Sequence, residues 1–405
     1  MKTQSILISG ASIAGPALAW WLTKYGFDVT IVERAPAIRE GGHAVDFRGT
    51  AITVLQKMGL LDEVRKYETR TNKISIVNKH NKKVSSFPDG FTSGELEIMR
   101  GDLVKILYEA TVDKVNYIFN DTITALLQDE QGVTVTFERN VRQRFDLVIG
   151  ADGMHSKVRS IAFGPESCFI RHLGIYISVF TVPNYLNLGM DAVFYSTLGK
   201  RTGVFGAREG KEARASFYFA SDPFQYDYRN TNQQKELIRE RFANEEWEVQ
   251  QLLELMDTTS DFYFDSISQI KMDRWSNGRI GLLGDAAFCG SPLSGMGTSM
   301  AFVGAYILAG ELMKANGEHS AAFNNYEEQM RPFVQRCHDL AKGATWFVPK
   351  TKFRHWMGSL IWKILPYTPW KNMMMEMPSK IGNSIALKAY TPIGENSERS
   401  MKVTS

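Results

Sequence analysis

Three stretches far apart in the chain combine small residues, a tight turn and a charged side chain in a way that suits a bound nucleotide. The first is Ile6–Gly15 (ILISGASIAG), followed by Glu33. An apolar strand that enters a turn and then a helix aims backbone N–H groups and the positive helix end at one point, where a pyrophosphate can be held. Glu33 comes eighteen positions after Gly15, at the end of the apolar run Val29–Val32. A carboxylate about 20 residues on accepts hydrogen bonds from ribose hydroxyls. The glycine pattern is imperfect, reading Gly10, Ser12 and Gly15, with Ala14 inside the turn. Serine adds a Cβ and a hydroxyl where backbone and phosphate approach most closely, although its amide still donates. Pro16 suits the first helical turn, where its missing N–H costs little.

The second stretch, Asp146–Arg159 (DLVIGADGMHSKVR), is an apolar run ending in Gly150-Ala151-Asp152-Gly153, with Ser156 and Arg159 completing DG-x-x-S-x-x-R. The third, Ile280–Gly297, is a strand, then Gly284-Asp285-Ala286-Ala287, then Pro292 and Gly295-x-Gly297 opening an apolar helix, Ala301–Leu312. Asp285, between a buried strand and a glycine-bearing turn, would be costly without a bonding partner. One degenerate glycine motif is equally consistent with an ordinary strand-turn-helix. The three together read as a site for FAD.

This set resembles the single-component FAD monooxygenases of the para-hydroxybenzoate hydroxylase type. Within that group, Gly41–Gly49 (GGHAVDFRG), Met99–Leu103 (MRGDL), Val182–Leu186 (VPNYL), Asp261–Asp265 (DFYFD) and Phe302–Glu311 (FVGAYILAGE) are similar to the tetracycline-inactivating monooxygenases, or tetracycline destructases. The resemblance runs from the first strand to about Phe333. Two positions depart from it: Ser299 stands where asparagine is usual, and Gly304 replaces an aspartate of the wider hydroxylase family.

The resemblance implies non-covalent FAD held by Gly10, Ser12, Ala14, Gly15, Glu33, Arg34, Arg39, Gly42, His43, Ala44, Asp46, Arg100, Asp152, Gly153, Gly284, Asp285, Pro292, Gly295 and Gly297. It places Arg39 beside a transiently docked NADPH or NADH, Arg100 on FAD phosphate or ribitol, and Asp285 on the ribitol. Arg48 could instead pair internally with Asp46, and Asp265 and Gln269 could be core polar groups satisfied by backbone. The implied reaction uses O₂ through a flavin C4a-hydroperoxide to hydroxylate a polycyclic phenol or enol, a tetracycline above all, so the cofactor carries the chemistry and no protein nucleophile is required. Phe180, Phe219 and Tyr263 are candidate substrate contacts. Hydroxylation of another aromatic or lipophilic natural product, or flavin reduction of an isoprenoid double bond, are the alternatives.

Positioning these residues calls for an α/β fold: a Rossmann-like FAD-binding domain of the glutathione reductase type, with an inserted β-sheet substrate domain and C-terminal helices. The FAD elements occupy 1–70, 97–167 and 267–340, the substrate domain 71–96 and 168–266, and a C-terminal helical lid 341–405. Short β-rich runs (Lys73–Val77, Tyr176–Val182, Ala192–Ser196, Ser216–Ala220) predict a mixed or antiparallel sheet under the substrate. Gln233–Met256 predicts one charged amphipathic helix, and Asp129–Gly132 a hairpin turn.

The chain has 405 residues, 44% hydrophobic and 22% charged, enough to bury more than one core. A net charge of +3 predicts no nucleic-acid partner. Cys168, Cys289 and Cys337 are odd in number and widely spaced, which disfavours disulfides and zinc. With no signal peptide expected and no apolar run of about 20 residues, a cytoplasmic monomer is predicted. Lys342–Tyr390 is rich in Trp, Met and Lys and admits three roles: core packing, a lid over the substrate, or contact with a membrane. The last is disfavoured, this segment being the only place for it.

Overall fold

Ile6, Leu7 and Ile8 have no exposed surface, as a continuous apolar run requires when a strand is covered on both faces. They form β1 (Ser5–Ser9), central in a six-stranded sheet with β2 (Asp28–Glu33), β7 (Asn116–Phe119), β11 (Leu147–Gly150), β17 (Ser276–Asn277) and β18 (Ile280–Leu282). The order is β17-β18-β11-β1-β2-β7, and every pairing but β17 with β18 is parallel. The carboxyl ends of β1, β2, β11 and β18 therefore lie along one edge, and all three motif turns leave from it. The computed structural model describes residues 3–39, 41–69, 71–87, 94–368 and 370–391. Pro369 and residues 392–405 of the C-terminal segment lie outside the described residues, as do residues 88–93.

A seven-stranded sheet has the order β16 (Tyr263–Ile270), β12 (Ile170–Pro183), β15 (Glu212–Ala220), β14 (Lys200–Ala207), β13 (Ala192–Thr197), β4 (Ile74–Val77) and β5 (Lys83–Ser86). It is antiparallel except where β4 pairs β13, and so is mixed. Smaller antiparallel sheets join β3 (Ala44–Phe47) to β6 (Leu96–Met99), and β8 (Ile123–Asp129) to β9 (Gly132–Phe137) and β10 (Gln143–Phe145). The hairpin expected at Asp129–Gly132 is present, with the Asp129 carboxylate accepting the N–H groups of Gln131 (2.8 Å) and Gly132 (3.2 Å).

The helices are α1 (Ala14–Lys24), α2 (Thr50–Lys57), α3 (Leu61–Lys66), α4 (Arg100–Glu109), α5 (Lys157–Ala162), α6 (Thr231–Phe242), α7 (Val249–Thr258), α8 (Asp285–Phe288), α9 (Gly297–Lys314), α10 (His319–Asp339), α11 (Ala344–Phe347), α12 (Lys352–Ile364) and α13 (Trp370–Gly382). α9 is apolar on every side and buried from Thr298 to Leu312, packed among α1, α2 and α10. Its Gly304 lies close to Leu283: a Cβ there would come within 2.9 Å of Leu283 Cδ1, so any larger residue would require that side chain to shift.

Two expectations are corrected. The single helix over Gln233–Met256 is two, α6 and α7, with Trp247 in the left-handed region (φ 61°) at the break. The break lets Ile238 and Phe242 of α6 and Leu252 and Met256 of α7 bury against one sheet face. Phe180 and Phe219 lie on that same face, each 1% exposed, in the core beneath α6 and α7 and not in an open cavity. The reason is the two-residue period of a strand: Ile177, Val179 and Tyr218 occupy the opposite face. Phe219→Ala should therefore cost about 3–5 kcal/mol of stability in urea unfolding with flavin content unchanged. A stable variant with impaired substrate binding would return Phe219 to the site.

Candidate active site

The turn after β1 is closed by contacts that leave no room for side chains. Gly10 has φ 109°, and a Cβ on it would lie 2.5 Å from the Ala151 carbonyl oxygen, so the first motif rests directly on the second. Gly284 (φ 64°) approaches α1 as closely, a Cβ there lying 2.9 Å from that of Ala14, which brings in the third. α1, α4 and α9 all begin without a side-chain cap. Uncapped N–H groups at a helix start are donors in want of an acceptor and carry roughly half a positive charge.

Arg100 opens α4 and reaches back to the first motif. Its Nη2 donates to Ser12 Oγ at 2.8 Å and its Nη1 to the Gly41 carbonyl at 3.5 Å. The serine in the middle of the glycine pattern is thus an anchor for a guanidinium. Glu33, at the end of β2, accepts the N–H groups of Ala11 and Ala35, both at 2.9 Å, and one lone pair on each oxygen stays available. Arg39 stands 3.9 Å from Glu33 with half its side chain exposed, and Arg34 is exposed nearby.

His43, Arg100, Tyr263 and Asp285 are surrounded by protein yet retain accessible surface, which marks a deep open recess. Burial, aided by the Arg100 charge, lowers His43 to about 4, so its imidazole is neutral at neutral pH. Burial raises the Asp285 carboxyl, opposed by a hydrogen bond from Cys289 and by Arg100. The Tyr263 ring lies 6.3 Å from that of His43, and its phenol is pushed well up by burial and by Asp265. Gly42 and Ala44 continue this wall, while Pro292 is exposed and Gly295 and Gly297 lead into α9. Gly153 is half-buried at the turn after β11.

Other predicted residues serve the scaffold as well. Asp46 pairs with Arg48 at 3.2 Å and accepts the Gly94 N–H at 2.9 Å. Ser299 Oγ accepts the Arg48 N–H at 3.0 Å. Asp152 accepts the Ser156 hydroxyl and the N–H groups of Lys157 (2.7 Å) and Val158 (3.1 Å), so it organises the start of α5. Gln269 donates to the His338 carbonyl at 2.9 Å, as a backbone-satisfied core group would. Asp265 likewise accepts a backbone N–H, that of Ser266 at 2.7 Å, and in addition bonds several side-chain partners.

Those partners include His155, which the sequence reading did not single out. Its Nδ1 donates to Glu166 (3.0 Å) and its Nε2 to Asp265 (3.2 Å), while Tyr226 and Tyr263 donate to the same Asp265 at 2.9 and 3.3 Å. Burial alone would lower this imidazole, but hydrogen bonds to the two carboxylates raise it to about 10. Arg201 was also missed. It is 5% exposed, donates from Nε to Ser196 Oγ at 2.9 Å and lies over the rings of Phe347 (4.3 Å) and Phe194 (5.2 Å). Its Nη1 is buried without a hydrogen-bond partner among the described residues. It borders a cavity of about 260 Å³ whose lining includes Tyr195, Trp346, His355 and Gly358. No sequence motif marks either residue.

The C-terminal segment is held at both ends. Phe347 packs on Phe194 and Tyr218, and Gly199 donates to the Pro349 carbonyl at 2.9 Å. At the far end Glu311 of α9, fully buried, accepts from Tyr390 (2.7 Å) and Lys388 (3.0 Å), and Tyr306 donates to the Lys388 carbonyl at 2.6 Å.

The family described as FAD binding domain matches residues 3–341. An uncharacterised protein of Mycobacterium tuberculosis is 46% identical over 342 residues, 83% of this chain and 91% of that protein. A flavin-dependent monooxygenase of Legionella longbeachae is 41% identical over 339 residues, 82% of this chain and 86% of that protein. The solved structure of tetracycline destructase Tet(51) superposes with a TM-score of 0.83 at 35% identity, over 96% of this chain and 99% of that one.

Two predictions test the geometry. Ser12→Gly restores the three-glycine pattern but removes the acceptor for Arg100, and is expected to weaken flavin binding by about 1.5–3 kcal/mol; equal or tighter binding by titration would refute the anchoring role. His155, its folded pKa raised to about 10, contributes stability fully present below its unfolded value near 6.5 and lost as pH rises through about 10. The stability gap between wild type and His155→Gln, measured by urea unfolding across that range, should shrink with rising pH, and a widening gap would contradict the assignment.

Proposed function

The chain belongs to the FAD-binding-domain family and is a flavin-dependent monooxygenase; on that premise we propose that it hydroxylates a polycyclic enol or phenol, a tetracycline above all, with NADPH or NADH as electron donor. The recess fits the cofactor. A turn that admits no side chain at Gly10, uncapped helix starts at α1 and α9, and Asp285 as an acceptor with no ion-pair partner among the described residues form a donor and acceptor set suited to a pyrophosphate, a ribitol chain and an anionic ring. Bound there and reduced by the nicotinamide coenzyme, FAD would pass two electrons to dioxygen, one atom of which would enter the substrate while the other leaves as water.

The protein's own groups bind, orient and exclude water. Ser12 and Arg100 tie the phosphate turn to the wall that carries His43, and Glu33 and Asp285 accept from cofactor hydroxyls. Neutral His43 can donate a hydrogen bond into the recess, and the neutral Tyr263 phenol, whose proton is directed at Asp265, can accept one, in neither case adding charge. Arg39, exposed beside Glu33, supports transient docking of a nicotinamide coenzyme. The segment from α11 to α13, anchored at both ends, is proposed as a lid that keeps water from the substrate.

One observation carries the substrate class: the buried Arg201 guanidinium, stacked on aromatic rings and lacking any carboxylate within ion-pair reach among the described residues. A buried cation needs an anion, and the enolate of a polycyclic substrate supplies one on a planar, apolar frame that the cavity's aromatic lining accommodates. Tetracycline added to the FAD-loaded enzyme with NADPH and O₂ should accelerate oxygen uptake and give a product heavier by one oxygen atom. Arg201→Met should keep flavin and basal NADPH oxidation but raise the substrate KM about tenfold to a hundredfold, the loss of one charge-assisted hydrogen bond. Failure of tetracycline to stimulate oxygen uptake rejects this substrate, and an unchanged KM removes Arg201 from its site.

A further inference from the structure

The apolar stripes of the last two helices face outward. On α12, Phe353, Trp356, Leu360 and Ile364 are 63%, 61%, 39% and 48% exposed, and a spacing of three and four residues places them on one side. The opposite side carries His355 and Gly358, which line the Arg201 cavity. On α13, Trp370, Met373 and Met377 repeat the pattern at 66%, 56% and 43% exposure, and Tyr367 between the helices is 89% exposed. A helix that only packs on a core turns such a stripe inward. A connected apolar surface left outside marks an interaction site.

Charge identifies what covers it. Residues 341–390 hold eight lysines and arginines against a single acid, Glu376, so this segment alone exceeds the whole chain's net charge of +3. Lys352 and Lys363 flank the stripe of α12, and Lys371 and Lys380 that of α13. A second copy of the chain is a poor partner, because a two-fold interface would set the same cations against each other. No helix among the described residues is long and apolar enough to cross a membrane. Aromatic and methionine side chains with flanking lysines suit a helix pair lying in the plane of a lipid surface, the rings at the headgroup boundary and the ammonium groups on anionic phosphates.

We propose that α12 and α13 dock this enzyme on an anionic phospholipid surface through Phe353, Trp356, Trp370 and Met373, with Lys352, Lys363 and Lys371 pairing with headgroups. The full-length, flavin-loaded protein is expected to sediment with vesicles of equal phosphatidylcholine and phosphatidylglycerol about tenfold or more better than with phosphatidylcholine alone, and to be released by salt. The double variant Trp356→Ser, Trp370→Ser and the triple variant Lys352→Glu, Lys363→Glu, Lys371→Glu should each lose about tenfold or more of that binding while purifying with full flavin content. Absence of binding to the mixed vesicles at low salt overturns the proposal, as does unchanged binding by either variant. Sedimentation velocity showing a dimer that the double tryptophan variant cannot form would assign the surface to a second copy and overturn it too.

Discussion

Arg159 has no exposed surface, and a guanidinium keeps its charge, so its surroundings must satisfy it. It donates to the Ala286 carbonyl at 2.9 Å, to the Met154 carbonyl and to Glu166 at 3.0 Å. Those bonds clamp the loop after β11 to the start of α8, which places Asp152 and Asp285 in fixed relation. Glu166 then holds His155, and His155 holds Asp265 on β16 of the seven-stranded sheet. One buried cation is therefore coupled, through alternating charges, to the orientation of the sheet against the nucleotide-binding unit. Removing Glu166 strands the buried Arg159 charge, and removing His155 takes from the buried Asp265 its cation, which costs far more than such a pair is worth at the surface.

The recess acts through neutral groups set among positive helix ends. Burial keeps His43 uncharged and Tyr263 protonated, so the wall contributes dipoles and hydrogen bonds without adding charge. Positive potential comes instead from the uncapped starts of α1 and α9, which are fixed in place and need no reorganisation. Arg100 adds a side-chain cation to this wall, and its hydrogen bond to Ser12 directs it toward the turn after β1.

The C-terminal segment joins these two environments. Its first turn enters the core against Phe194 and Tyr218, its last residues are fastened to Glu311 inside α9, and Gly382 packs on Arg48 beside Gly49. A segment tied at both ends gives up less entropy on closing than a free tail, since loop closure has already restricted it. One side of α12 then bounds the cavity while the other meets solvent, so packing and exposure belong to opposite faces of one helix.

The FAD-binding half was legible in the chain because its determinants are local. A glycine that must pass close to a carbonyl, a carboxylate at the end of a strand and a helix apolar on every side leave their marks within a few residues, and Gly10, Glu33 and α9 stand where those marks put them. The seven-stranded sheet was legible only as strands. Which face Phe180 and Phe219 would take depends on where α6 and α7 pack, information carried by residues 231–258 and not by the strands themselves. The roles of His155, Arg201 and Ser12 were decided by tertiary structure alone, because each depends on a partner brought from elsewhere in the chain: Asp265, Phe347 and Arg100. Sequence by itself determined the nucleotide turns, since backbone sterics act over short range. Only the folded chain decided the charges and faces around the recess and the Arg201 cavity, since desolvation and pairing belong to neighbours that the sequence does not place side by side.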